Sequence, residues 1–223
     1  MAFSNEDLFL ASLSQPTLNL AVASDSGAAE DGITNDATPT LNGAGDVGDT
    51  ITIYDGGVQV AQTTVGGGGT WTVTLPTLSD GAHTLTATPS VAGHDGPASE
   101  ALALTVDTDA PEVSLTYTAL DSANFRVTLT FSEVPVGFTI ADLQATGGYR
   151  FNAVLSNLAA TANPRVFTVD VNAAPGPGAE TASVDLLSGS YTDAAANAGG
   201  AGHTLIDLWA GTPPDAPPEQ VVI

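Results

Sequence analysis

The chain reads as an all-β protein built from two β-sandwiches in tandem. Three observations predict this. Short alternating runs rich in Thr and Val dominate, turn residues recur at about every tenth position, and a proline-marked boundary falls near mid-sequence. Helical periodicity is nearly missing.

In the first half the residues expected to face inward are Leu18, Leu20 and Val22, then Ile51 and Ile53, Val58 and Val60. Trp71, Val73 and Leu75 follow, then Leu85 and Ala87, and last Leu102, Leu104 and Val106. Tyr54-Asp55-Gly56-Gly57 reads as a hairpin turn, because its Asp-Gly pair tolerates positive φ. Gly66 to Gly69 and Ser79-Asp80-Gly81 supply two more turns. The second half repeats the pattern with Val113, Leu115 and Tyr117, then Phe125, Val127, Leu129 and Phe131, then Phe138 and Ile140. Phe167, Val169 and Val171, Val184 and Leu186, and Leu205 complete it. About seven strands in about 95 residues suits one sandwich, so each half holds one.

The boundary is Val106-Asp107-Thr108-Asp109-Ala110-Pro111-Glu112-Val113. A related string, Asp215-Ala216-Pro217-Pro218-Glu219, stands one domain length later. This predicts domain 1 over 15–107, domain 2 over 108–211, and a Pro-rich linker over 212–223 leading to a further domain. Residues 1–14 read as a leader, with Ser4 to Asp7 able to cap a short helix. That leader has acids and no basic region, unlike a secretory signal, as expected of an internal fragment or a protein exported by a C-terminal signal.

Charge is the unusual feature. There are 25 acidic residues against three Lys+Arg, for a formal charge of −22. Such a field repels nucleic acid and anionic membranes, and no run is apolar and long enough for a membrane span. Cysteine is absent, which excludes disulfides and thiolate metal sites. Clustered carboxylates without basic neighbours suit a hard cation, and calcium takes six to eight oxygens. General acidity for solubility is the alternative.

Residues 17–106 resemble the immunoglobulin-like repeats of large type I-secreted, RTX or biofilm-associated bacterial adhesins. The resemblance rests on Ala23-Ser24-Asp25-Ser26-Gly27, Gly32-Ile33-Thr34-Asn35-Asp36-Ala37-Thr38-Pro39 and Ile51-Thr52-Ile53-Tyr54-Asp55-Gly56. Gly69-Thr70-Trp71-Thr72 and Leu78-Ser79-Asp80-Gly81-Ala82-His83-Thr84-Leu85 extend it. Residues 111–209 are similar to a second such type through Leu129-Thr130-Phe131-Ser132-Glu133, Gly137-Phe138-Thr139-Ile140-Ala141-Asp142 and Thr192-Asp193-Ala194-Ala195-Ala196-Asn197. The usual Asp-Ala-Ala-Gly-Asn loop is replaced in domain 1 by Ser90 to Gly96. The resemblance implies two tandem immunoglobulin-like β-sandwiches with a short calcium-binding linker, in a secreted or cell-surface bacterial protein.

Alternating strand direction then places the acids. In domain 2 the second–third and sixth–seventh strand loops return to the linker end. Glu133 lies in the first, Asp193 and Asn197 in the second, and the linker supplies Asp107 and Asp109. These form one candidate calcium site, with an Asp-rich turn as the alternative. In domain 1 the first inter-strand loop holds Asp25, Glu30, Asp31, Asn35 and Asp36, a second candidate site or an Asx-turn loop without metal.

Most enzymatic signatures are missing; paired carboxylates of the kind a glycosidase uses abound, but at 6% aromatics the sugar platforms of such a cleft are few. His83, His94 and His203 lie apart, no Gly-x-Ser-x-Gly occurs, and Gly66 to Gly69 lacks the lysine of a phosphate loop. Trp71 alternates with core residues, and Trp209 suits an edge or interdomain packing role. The expected role is a structural extender of a calcium-dependent adhesin, its partners being calcium and neighbouring domains of the same chain. The rivals are a tip module binding a carbohydrate, cell-surface or matrix ligand through Tyr149, Phe151 or Tyr191, and an accessory domain of a secreted hydrolase.

Overall fold

The computed structural model describes residues 13–147, 153–173 and 181–208. Tyr149, Phe151, Trp209, most of the 1–14 leader and the 212–223 linker lie outside the described residues. The chain divides after Asp109 into two compact units, and no described helix is long and apolar enough to cross a membrane.

Unit 1 contains β1 (Asn19–Leu20), β2 (Ile33–Thr34), β3 (Thr40–Ala44), β4 (Thr50–Asp55), β5 (Val58–Thr64), β6 (Thr70–Thr74), β7 (Gly81–Val91), β8 (His94–Asp95) and β9 (Leu102–Val106). One sheet runs β1-β3-β6 and the other β2-β9-β7-β4-β5, with β8 paired to β7. The first strand is therefore divided between the sheets. After β1 the chain makes a 3-10 turn at Val22–Ser24, crosses over, and pairs β2 in parallel with β9, Ile33 opposite Thr105.

Alternation in β4, β6, β7 and β9 buries Ile51, Ile53, Leu85 and Leu104 completely, with Leu41 of β3 between them. Each contributes about 1.5–3 kcal/mol by leaving water. Trp71 is a core residue, 4% exposed, and its indole N–H donates to the Ala44 carbonyl at 3.3 Å. Gly43 makes this possible, since a Cβ there would sit 2.6 Å from the Trp71 ring and 2.0 Å from the Thr17 carbonyl oxygen. The β4–β5 turn has positive φ at both Gly56 (53°) and Gly57 (87°), the geometry that splices onto twisted strands. Two sequence expectations fail here. Val22 is 90% exposed because it stands in the 3-10 turn, and Val58 is 68% exposed because it opens β5 beyond the core.

Unit 2 contains β10 (Val113–Ala119), β11 (Asn124–Phe131), β12 (Leu143–Gly147), β13 (Val154–Ala160), β14 (Val166–Asn172), β15 (Thr181–Leu186) and β16 (Gly202–Asp207). Its sheets run β10-β11-β14-β13 and β12-β15-β16, all antiparallel. In strand letters these are ABED and CFG, the constant-type immunoglobulin arrangement. Phe125, Val127, Leu129, Val169 and Val184 are fully buried, and Phe131, Phe138, Phe167 and Tyr191 pack edge to face at one end. Leu205 was expected inside but is 59% exposed. Ile206 is the buried member, and a one-residue slip in a strand exchanges the two faces. Ile140 lies in a 3-10 turn, Ile140–Asp142, and is 39% exposed rather than inward.

Candidate functional site

In unit 2 the loop after β11 carries Glu133 and the loop after β15 carries Asp193 and Asn197, and the fold joins these loops. Val136 and Thr192 exchange backbone hydrogen bonds of 2.7 and 3.1 Å. Glu133 and Asp193 thereby present carboxylate oxygens within 4.8 Å of each other, the first half-buried and the second 2% exposed. Asp193 heads a tight loop in which Asn197 donates its backbone N–H to Oδ1 and its side-chain Nδ2 to Oδ2, both at 2.9 Å. Ala196 closes the loop at φ 69°, a region that costs a residue with a Cβ.

This end of unit 2 is where its chain enters. Ser132 N–H donates to the Glu112 carbonyl and Gly200 N–H to that of Pro111. Tyr191, 2% exposed, donates its hydroxyl to Gly200 O at 3.0 Å and also lies 3.3 Å from Pro111 O. Its ring stands edge-on to Phe131, 5.2 Å between centroids. Burial pushes the phenol above its ordinary 10.0. Tyr191 was a candidate ligand platform in the sequence. It is instead the post that fixes the Asp193 loop to the entering strand. The signal for this role was Gly199, where a Cβ would fall 2.2 Å from the Tyr191 ring.

The donors here are carboxylates and an amide, hard oxygens that suit calcium. Each carboxylate oxygen has two lone pairs, so those of Asp193 that accept from Asn197 retain capacity for a cation.

Asp107 and Asp109 close unit 1. Asp107 N–H donates to the Thr34 carbonyl at 2.8 Å, continuing the β2–β9 pairing, and its carboxylate accepts from Asp109 N–H at 3.3 Å. Between them, Thr108 gives its N–H and its hydroxyl to the Asp80 carboxylate at 3.1 and 2.9 Å.

The acids of the first loop of unit 1 are used differently from one another. Asp36 accepts from Ser24 Oγ (2.7 Å), Thr38 N (2.9 Å) and Thr38 Oγ1 (3.1 Å). Burial opposes its charge, but these donors, Ser24 foremost, outweigh burial and lower the carboxyl below 3.8. Asp31 caps its own turn through Ile33 N–H, and Asn35 N–H donates to Ser26 Oγ. Asp25 accepts from Glu30 N–H with one oxygen, while the other is buried without a hydrogen-bond partner. Asp25, Glu30 and Asp31 line a cleft of about 620 Å³ between β1 and β9. Among the described residues these acids do not form a close group of three. Asp31 and Asp36 make the backbone bonds of Asx turns, while Asp25 keeps one buried oxygen outside that network.

Two family models match the chain, each a bacterial Ig-like domain, over residues 12–108 and 107–206. The chain is two bacterial Ig-like domains in tandem. These Ig-like domains show low-level likeness to several solved structures. One holds fibronectin(III)-like modules of Clostridium thermocellum CbhA, 14% identical over 86% of this chain and 93% of that one, TM-score 0.37. Another is the titin I-band fragment I67-I69, 12% identical over 88% and 66%, TM-score 0.46. A third is a biofilm-associated protein BSP domain, 13% identical over 87% and 29%, TM-score 0.29. No curated protein sequence matches. The assignment rests on the two family models and on the strand order.

Proposed function

We propose that this chain is an extender segment of an extracellular bacterial adhesin, non-catalytic, whose linker is stiffened by calcium. Tandem Ig-like domains are consistent with such a region and are usually surface-exposed in bacteria. The observation that carries the calcium reading is the approach of Glu133 to buried Asp193 at the entry end of unit 2. Asp109 and Asp107 stand two and four residues before Pro111. An extended chain therefore keeps them within about 7 and 14 Å of that residue, close enough to add ligands. Asn197 holds the Asp193 carboxylate in place through its two donated hydrogen bonds. A bound divalent ion would supply positive charge to a chain with three Lys+Arg against 25 acids. Tying the linker to unit 2 through such an ion removes conformational freedom from the linker, which is the source of the stiffness.

Calorimetric titration of the chelator-treated chain with calcium, paired with melting curves, tests this. The expected result is a binding heat and a rise in Tm, both lost in Glu133→Gln/Asp193→Asn and weakened in Asp107→Ala/Asp109→Ala. Absence of heat and of any Tm change in the wild type overturns the calcium reading. The first loop of unit 1 adds a weaker proposal, calcium at Asp25 and Asp31, read out by a second binding step lost in Asp25→Asn.

A further inference from the structure

A proton-sensitive contact lies in unit 1, on residues that take no part in the calcium proposal. His83, the third residue of β7, stands beside Asp55, the last residue of β4. Its Nδ1 is 2.7 Å from Asp55 Oδ2 and its Nε2 is 2.8 Å from the Ser79 carbonyl oxygen. A carbonyl only accepts, and so does an ionised carboxylate. A neutral imidazole has one N–H, so both contacts are satisfied together only by the imidazolium.

The neighbouring charges agree. Asp55 faces the ring from β4 and also accepts from Thr84 N–H at 3.2 Å. On β9 the residue opposite His83 is Leu104, flanked by Ala103 and Thr105, none of them charged. The turn before β7 brings Asp80, and Asp107 follows Val106, which pairs with Gly81. All of these charged groups are anionic. Burial disfavours a charged ring, its side chain being 10% exposed, but the Ser79 carbonyl and then Asp55 outweigh that and raise His83 above its ordinary 6.5.

Ser79 is joined directly to Asp80, and Asp80 is the acceptor of both Thr108 donors. The turn over residues 79–80 is thus held by His83 on one side and holds the last residues of unit 1 on the other. We propose that His83, Asp55 and the Ser79-Asp80 turn form a proton-dependent latch that secures Thr108 when the imidazole is charged and loosens it when the proton leaves. On deprotonation one ring nitrogen turns a bare lone pair toward an acceptor. The 79–80 turn then loses its tie to β4, and the Asp80–Thr108 anchor becomes more mobile.

Proton NMR of the whole chain tests this by following the His83 ring and the Thr108 amide across pH. The expected result is one shared midpoint above 6.5, with the Thr108 exchange protection factor falling about threefold to tenfold through it, the worth of one hydrogen bond. In His83→Gln the step at Thr108 disappears. In Asp80→Ala the ring still titrates but Thr108 no longer follows it. A Thr108 amide that ignores the His83 titration, or a step that survives in His83→Gln, overturns the latch.

Discussion

Replacing Tyr191 by Phe isolates the post that fixes the Asp193 loop. The ring and its edge-to-face contacts with Phe131 and Phe138 remain, so little apolar burial is lost. What goes is the hydroxyl, which donates to Gly200 O at 3.0 Å and lies 3.3 Å from Pro111 O. Pro111 O keeps the Gly200 N–H at 3.1 Å, so the loss falls on the Gly200 carbonyl. One net hydrogen bond is worth about 1 kcal/mol, and a buried acceptor deprived of its donor costs about 1 more. For a domain of about 100 residues, about 1–2 kcal/mol lowers Tm by about 5–15 °C. Denaturant unfolding followed by hydrogen exchange, peptide by peptide, reads unit 2 separately from unit 1. The unit 2 midpoint should fall while unit 1 keeps its own. An unchanged unit 2 midpoint, or an equal loss in unit 1, would refute the role given to this hydroxyl.

Ala196→Gly should stabilise unit 2, since relief of a left-handed alanine, about 1–2 kcal/mol, exceeds the added chain entropy of about 0.4–1 kcal/mol; urea midpoints measure it. Gly43→Ala should destabilise unit 1 by at least about 2–3 kcal/mol, because its Cβ has no room beside Thr17 and Trp71, and Trp71 emission reports it. Asp49 is 4% exposed with Oδ2 lacking a hydrogen-bond partner, and burial followed by repulsion from Asp46 raises its carboxyl above 3.8. The unfolded chain therefore releases this proton first, and stability falls as pH climbs from about 3.8 through the raised folded value. Asp49→Asn should remove that slope in acid-to-neutral melting curves. Spectrophotometric titration should find Tyr191 ionising later than its ordinary 10.0, because burial raises it.

Much of this fold was legible because its signals are local. Asp55-Gly56-Gly57 announces a turn that needs two positive φ values, and both glycines have them. The alternation of Ile51 and Ile53, or of Phe125 through Phe131, fixes a face through period two alone. Val22 defeated the same rule because nothing in Leu20-Ala21-Val22 marks where β1 gives way to a 3-10 turn. Leu205 and Ile206 are chemically equivalent, so only the register against Ser183 and Ala182 decides which enters the core. The loops bearing Glu133 and Asp193 were placed by counting strands, which succeeds when every connection reverses direction. The same counting treated the segment from Asp25 to Asp36 as one loop. Half of it is a crossover that seats β2 on the opposite sheet, and Asp36 and Asp31 within it are held by Ser24, Thr38 and backbone N–H groups. Tyr191 was misread because an aromatic next to acids looks the same in sequence whether it points inward or outward.

The parallel pairing of β2 with β9 has a mechanical result. Tension drawing the start of unit 1 one way and its end the other pulls these two strands along their lengths in opposite senses. Their bonds, among them Thr105 N–H to Gly32 O at 2.7 Å and Asp107 N–H to Thr34 O at 2.8 Å, lie crosswise to that pull. Pulled in this sense, they share the load at once instead of peeling one after another.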